Sequence, residues 1–256
     1  MSLFFRLKAL ILNYRGGINF LHHRITTELQ TKYYRRSLKM RNDIQMDTMK
    51  KKQETFIFDF DSTFIQVEAL DILCEVIYDN SSAGKQVLAE IQHLTNLGME
   101  GKLSLKESLT KRIKLLQANR DHLGAVIDVL KNKVSASVIR NRNFFKQHAE
   151  NIYIISNGFK EIIIPIVQEY CIKPEQVLAN TFKFDHDGKI IGFDETDELC
   201  ENQGKVRKIK SLELTGEAIM IGDGYTDYET LQGGAVSKFY AFTENVRREV
   251  VIAKAD

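Results

Sequence analysis

Three short apolar runs, far apart in the chain, each stop at a residue whose side chain can do chemistry. Phe56-Ile57-Phe58 runs into Asp59, Ile152-Tyr153-Ile154-Ile155 into Ser156, and Ala218-Ile219-Met220-Ile221 into Gly222-Asp223-Gly224. A fourth run covers residues 238–242. Runs that are apolar at every position suit strands covered on both faces, hence a parallel sheet. Helical patterns lie between them, as over residues 159–170 and 204–212. The fold class expected is therefore α/β, with a Rossmann-like parallel core. In such sheets ligands bind beyond the carboxyl ends of the strands, so Asp59, Ser156 and Asp223 are expected to converge. Asp and Ser are also ordinary turn and helix-cap residues, so none of the three is decisive alone.

The spacing of the runs predicts an insertion. More than 90 residues with little strand character separate the first two runs, and a simple crossover needs far fewer. Leu70, Leu73 and Ile77 have helical spacing, as do Leu105, Leu109, Ile113 and Leu116. Residues 66–136 are read as a small helical cap, and residues 53–65 with 137–256 as the core. Within that core, Phe182 and Phe184, then Ile190 and Ile191, flank Asp187-Gly188, the signature of a hairpin turn.

Composition narrows the function classes. Hydrophobic residues make up 43% and charged residues 27% of 256, which supplies a sizeable core and excludes disorder throughout. No apolar run approaches the roughly 18 residues that span a bilayer. Cys74, Cys171 and Cys200 lie far apart, in no metal or redox spacing, which fits a reducing compartment; a cytoplasmic location is expected. The net charge of +2 hides an asymmetry: residues 1–52 hold 12 Lys/Arg against 3 Asp/Glu, a net +9, and the rest carries −7. The basic character thus belongs to the N-terminal stretch, which disfavours nucleic acid as the partner of the rest. That stretch reads as a poorly ordered extension, or as translated sequence upstream of a start at Met46 or Met49. A transit peptide and a membrane-surface segment are the competing readings, with no stable membrane insertion expected. The chain stops soon after Val250, which reads as a clipped C-terminus.

Asp59-Phe60-Asp61-Ser62-Thr63 has the form D-x-D-x-T. With each residue near one in twenty, it arises by chance in about 3% of chains this long. Two carboxylates two residues apart can divide one reaction: one attacks phosphorus, the other protonates the leaving oxygen and then activates water. Further along come Ile155-Ser156-Asn157-Gly158-Phe159, Asn202-Gln203-Gly204-Lys205 and Gly222-Asp223-Gly224-Tyr225-Thr226-Asp227. With Gly192-Phe193-Asp194-Glu195-Thr196 and the cap stretch from Gly98 to Leu103, these motifs resemble the haloacid dehalogenase superfamily of phosphatases. Within it, they are similar to the phosphoserine phosphatase branch. The resemblance covers roughly residues 55–253.

The resemblance implies a HAD-like core with an inserted cap, and a hydrolase of small phosphomonoesters in serine biosynthesis that forms an aspartyl-phosphate. It implies Asp59 as nucleophile and Asp61 as general acid/base. Mg²⁺ would sit on the Asp59 carboxylate, the Asp61 carbonyl and Asp223, a hard-oxygen set that suits it. Ser156, Asn157, Gly158 and Lys205 would hold the phosphoryl oxygens, with Phe60 and Asp61 backbone N–H groups adding donors. Asp227 and Thr226 would stand behind them, Asp227 on a metal-bound water or on Lys205. Glu68 would take the substrate ammonium and Arg112 its carboxylate, with Met99 lining the pocket. Glu68 is also what the first turn of a helix favours. Arg112 falls about 20° from Leu105 on a helical wheel, at the edge of the apolar stripe, where a charge needs a partner.

The chain departs from the family at two points. Asn157 stands where relatives usually have glycine, so a side chain either narrows the phosphate pocket or adds an amide contact. Thr226 stands where many have Asn. The competing readings are a phosphotransferase or a phosphatase for another phosphomonoester, and a non-catalytic module that kept the fold. No G-x-G-x-x-G stretch is present, so no dinucleotide-binding domain is expected.

Overall fold

A computed structural model describes residues 54–79, 81–99 and 102–256, together with Lys39. The basic stretch, Lys39 apart, lies outside the described residues, as do Glu100, Gly101 and the Met99 side chain. The described elements belong to one unit, Lys52–Asp256.

The apolar runs form a five-stranded sheet in the order β3-β2-β1-β6-β7, and every pairing is parallel. β1 is Glu54–Phe58 and β2 is Ile152–Phe159. β3 (Val177–Asn180) lies at one edge; β4 (Phe182–Phe184) and β5 (Ile190–Phe193) make a separate antiparallel hairpin. β6 is Glu217–Gly222 and β7 is Lys238–Ala241. Ile57, Ile154, Ile155 and Met220 are fully buried, as strands covered on both faces must be.

Four helices follow β1: α1 (Ala69–Tyr78), α2 (Ser82–Met99), α3 (Leu105–Leu116) and α4 (Arg120–Lys131). The chain leaves the core at Ile65 and returns at Val134, where the two residues form an antiparallel bridge. Leu73, Ile91, Leu109 and Leu130 are buried between these helices and join the core cluster on β2. Two short helices, α5 (Ala136–Arg140) and α6 (Arg142–Gln147), bury Val138 and Phe145 and lead into β2. The remaining helices are α7 (Lys160–Val167), α8 (Gly204–Ser211), α9 (Tyr225–Gln232) and α10 (Glu249–Ile252). α4 packs on α7, which seats the inserted helices on the sheet. No helix among the described residues is long and apolar enough to cross a membrane.

Two elements differ from the sequence reading. β2 runs past Ser156 to Phe159, because the Asn180 side chain donates to the Asn157 carbonyl (2.8 Å) and Phe159 regains register with Asn180 after a shift. β3 is an additional strand; its four residues are too few for a periodic signal, and they abut the hairpin that dominates the local pattern.

Candidate active site

β1 ends beside β6, and the Asp59 N–H donates to the Ile221 carbonyl (2.9 Å), which fixes where the first aspartate emerges. Its Oδ1 accepts from the Phe60 N–H (2.7 Å) and from Lys205 Nζ (2.8 Å), so the carboxylate plane is held from two sides. The chain then makes one wide turn, Phe60–Phe64, with Asp61 extended and Ser62 left-handed at φ 54°. That turn aims Asp61 at the start of α1, where its Oδ1 accepts from the Ala69 N–H (2.7 Å). Burial in the cleft raises the Asp61 pKa well above the ordinary carboxylate range, and the Glu68 and Asp59 charges add to the rise. The Ala69 bond and Arg112 oppose it. An upward shift is the direction that lets Asp61 hold a proton for the leaving oxygen.

Lys205 sits at the start of α8 and is 2% exposed, with Nζ at 2.7 Å from Asp227 and 2.8 Å from Asp59. Burial works to lower its pKa, but the two carboxylates outweigh burial and raise it, so the ammonium is secure. The backbone there is tightly made: Gln203 is left-handed (φ 57°), and a Cβ on Gly204 would collide with the Glu198 carbonyl. The glycine of Gln203-Gly204-Lys205 is thus a requirement of close approach. Gly222 has the same role at the end of β6, where a Cβ would run into the Asp227 carboxylate. Asp227 accepts from Lys205 through Oδ1 and from the Gly224 N–H through Oδ2 (3.0 Å). Burial and Asp59 push its pKa up, and Lys205 works against both.

Ser156 is buried and its Oγ accepts from the Gly158 N–H (2.9 Å). A Cβ on Gly158 would stand 3.1 Å from Asp61 Oδ2 and 3.2 Å from Ser156 Oγ, so a larger residue would make both give way by a few tenths of an ångström. The Asn157 side chain turns away from the cleft's centre: its Nδ2 donates to the Leu199 carbonyl (2.7 Å). Of the two alternatives left open at this position, the amide contact is present, but its acceptor is the loop ahead of α8.

Asp59, Asp223 and Asp227 bring carboxylate oxygens within 4.8 Å of one another, the kind of hard-oxygen cluster that fits a divalent cation. Both Asp227 oxygens accept N–H bonds, from Lys205 and the Gly224 N–H, and both Asp223 oxygens are engaged as well, by Thr63 Oγ1 (3.1 Å) and Arg248. A cation on Asp59 and Asp223 would therefore have to take the place of the Arg248 pairing.

The inserted helices supply the opposite wall of a cavity of about 650 Å³ that reaches Asp59, Asp61, Ser156 and Asp223. Glu68 and Arg112 both line it, and so does Thr226. Glu68 accepts from Ser62 Oγ (2.8 Å), and burial raises its pKa. Arg112 is 9% exposed and its Nε has no partner. Burial lowers its pKa while Glu68, Asp61 and Asp71 hold it up. A solvated helix charge does not describe it; it is a buried cation facing a cleft.

Sequence reasoning passed over Asn245, Arg248 and Asn180, and quoted Ser62 and Thr63 without giving either a role. Thr63 carried a signal, as the last residue of D-x-D-x-T. Asn245 and Arg248 carry none, because they reach the site from the loop after β7.

The family model of haloacid dehalogenase-like hydrolases matches residues 56–232. Human phosphoserine phosphatase is 30% identical over 197 residues, spanning 76% of this chain and 83% of that protein. The chloroplastic phosphoserine phosphatase of Arabidopsis thaliana is 30% identical over 206 residues, 79% of this chain and 67% of that protein. The crystal structure of a phosphoserine phosphohydrolase-like protein from Francisella tularensis superposes with a TM-score of 0.70 at 31% identity, covering 79% of this chain and 93% of that one.

Proposed function

The chain belongs to the haloacid dehalogenase-like hydrolases, and from that premise we propose that it hydrolyses O-phosphoserine through an aspartyl-phosphate on Asp59. The observation that carries this reading is the meeting, in one cavity, of a lysine-held aspartate, a second aspartate whose pKa is raised, and a buried arginine with an unpaired Nε.

The steps follow from the side chains. An Asp59 carboxylate oxygen attacks phosphorus, the bond from phosphorus to the seryl oxygen breaks, and Asp61 gives its proton to that oxygen. The Asp61 carboxylate then takes a proton from water as the water attacks phosphorus, and the Asp59 carboxylate is released. Lys205, Ser156, Asn157 and Gly158 position the phosphoryl oxygens, with Asp227 and Thr226 behind them. Positioning and charge stabilisation are most of what phosphoryl transfer needs. Mg²⁺ held by Asp59, the Asp61 carbonyl and Asp223 would offset the phosphate charge. Residues 66–136 serve as a cap over a core made of 53–65 and 137–256. From that cap, Arg112 takes the substrate carboxylate in its planar fork, and Glu68 takes the ammonium.

Phosphate release should be measured with Mg²⁺ on O-phospho-L-serine, its D-enantiomer, phosphothreonine and p-nitrophenyl phosphate. The reading expects phosphoserine to lead in kcat/KM. A clear preference for a phosphomonoester without an amino-acid backbone would move the assignment to another substrate and remove the roles given to Glu68 and Arg112.

A further inference from the structure

The turn that joins the two catalytic aspartates to the inserted helices is held by residues remote in sequence. Four successive carbonyls, Ser62 to Ile65, point out of it. Asn245 Nδ2 donates to Ser62 O (3.1 Å) and Ile65 O (3.3 Å). Ser135 takes the two between, through Oγ on Thr63 O (2.6 Å) and through its N–H on Phe64 O (3.0 Å). Asn245 Nδ2 also donates to Ser135 Oγ (2.7 Å), so the two residues are one unit. An amide carries two N–H groups, so the three acceptors share them, with Ser135 Oγ and Ser62 O at the shorter distances. Ser135 is fully buried, which leaves its partners no water to fall back on.

The turn needs such support. Ser62 is a non-glycine residue in the left-handed region, a strained conformation that persists only where the surroundings impose it. What the turn carries is the site itself. Its Ser62 Oγ donates to Glu68, its Thr63 Oγ1 donates to Asp223, and Asp61 is its second residue. The loop that carries Asn245 also holds the returning chain, through Glu244 on the Ser137 N–H (3.1 Å).

We propose that Asn245 is a positioning residue for the reaction: with Ser135 it fixes the Ser62–Ile65 carbonyls and thereby the placement of Glu68 at the substrate. The substrate part of this rests on the phosphoserine reading; the part concerning the turn does not. Asn245→Ala removes the donors. Asn245→Asp also turns a carboxylate toward carbonyl oxygens and should be worse.

The test uses the full chain with Mg²⁺. For Asn245→Ala, kcat/KM on phosphoserine should fall about tenfold, the scale of one or two lost hydrogen bonds, and mainly through KM. On p-nitrophenyl phosphate, which has no ammonium to misplace, the loss should stay under about threefold, because Asp61 keeps its bond from the Ala69 N–H and the Thr63 carbonyl keeps Ser135. Backbone hydrogen exchange over residues 60–68 should quicken while the hairpin at 182–193 stays unchanged. Ser135→Ala should couple to Asn245→Ala in a double-mutant cycle. Equal losses on both substrates, or unchanged exchange over 60–68, would overturn the inference. If the wild-type chain cleaves p-nitrophenyl phosphate and not phosphoserine, the substrate reading fails, and the exchange measurement still decides the role of Asn245.

Discussion

Lys205 shows what a single side chain does here. Its ammonium lies between Asp59 and Asp227, and it is nearly inaccessible to water. Removing one partner of such a cluster leaves the others buried and uncompensated, so Lys205→Met should cost about 3 kcal/mol of stability and abolish turnover. Denaturant unfolding beside a phosphate-release assay checks both. Arg112 is the counterpart on the opposite wall. Arg112→Ala should raise KM for phosphoserine far more than for p-nitrophenyl phosphate, which lacks the α-carboxylate; equal losses would assign the residue to packing. Glu161 offers a pH test outside the cleft. Burial raises its pKa, while its bond from the Phe182 N–H opposes the shift, and its Oε2 has no partner. A carboxyl raised in the folded state favours folding fully below the ordinary carboxylate pKa and loses that contribution as pH climbs through the raised one. The melting temperature of Glu161→Gln relative to wild type should therefore rise as pH climbs through that window. A difference that does not vary with pH would contradict the assignment.

At the scale of elements, α3 is what delivers Arg112, and its start is fixed by a reciprocal cap. Ser104 Oγ accepts from the Glu107 N–H (3.2 Å), and Glu107 Oε2 accepts from the Ser104 N–H (3.1 Å). Ser104→Ala should cost about 1 kcal/mol in thermal or chemical unfolding; no measurable change would mean the tertiary contacts of α3 carry its start. The elements also show what the sequence makes legible. β1, β2 and β6 are readable from their apolar runs, as strands covered on both faces require, and β7 at the sheet edge is readable although Lys238 and the exposed Tyr240 interrupt its run. The convergence of Asp59, Ser156 and Asp223 follows from the parallel arrangement of those strands. The placement of Arg112 at a buried edge follows from helical periodicity. What stays hidden is tertiary. The Asn157 amide finds Leu199, and Asn245 finds the turn after Asp61. No local pattern encodes either contact, because each depends on where a distant loop lands. α2 is hidden for another reason: its 18 residues mix apolar and polar positions, and several of its side chains remain exposed.

For the molecule as a whole, every element among the described residues that builds the cavity begins at or after Glu54. A chain beginning at Met49 should therefore fold and turn over substrate at a rate similar to the full chain. Loss of soluble protein on that truncation would show that the basic stretch contributes to folding. The cavity is lined from both sides: Asp59 and Asp223 directly follow β1 and β6 and Ser156 lies within β2, while Glu68 caps α1 and Arg112 lies in α3. A substrate that offers phosphate at one end and an amino acid at the other meets both walls at once. The central claim is covalent chemistry at Asp59, and it is tested most directly by phosphate release from O-phospho-L-serine with Mg²⁺ by the wild-type chain and by Asp59→Asn. An amide in place of the carboxylate cannot attack phosphorus, so the account predicts turnover by the wild type and none above background by the variant. Near wild-type turnover by Asp59→Asn would contradict it.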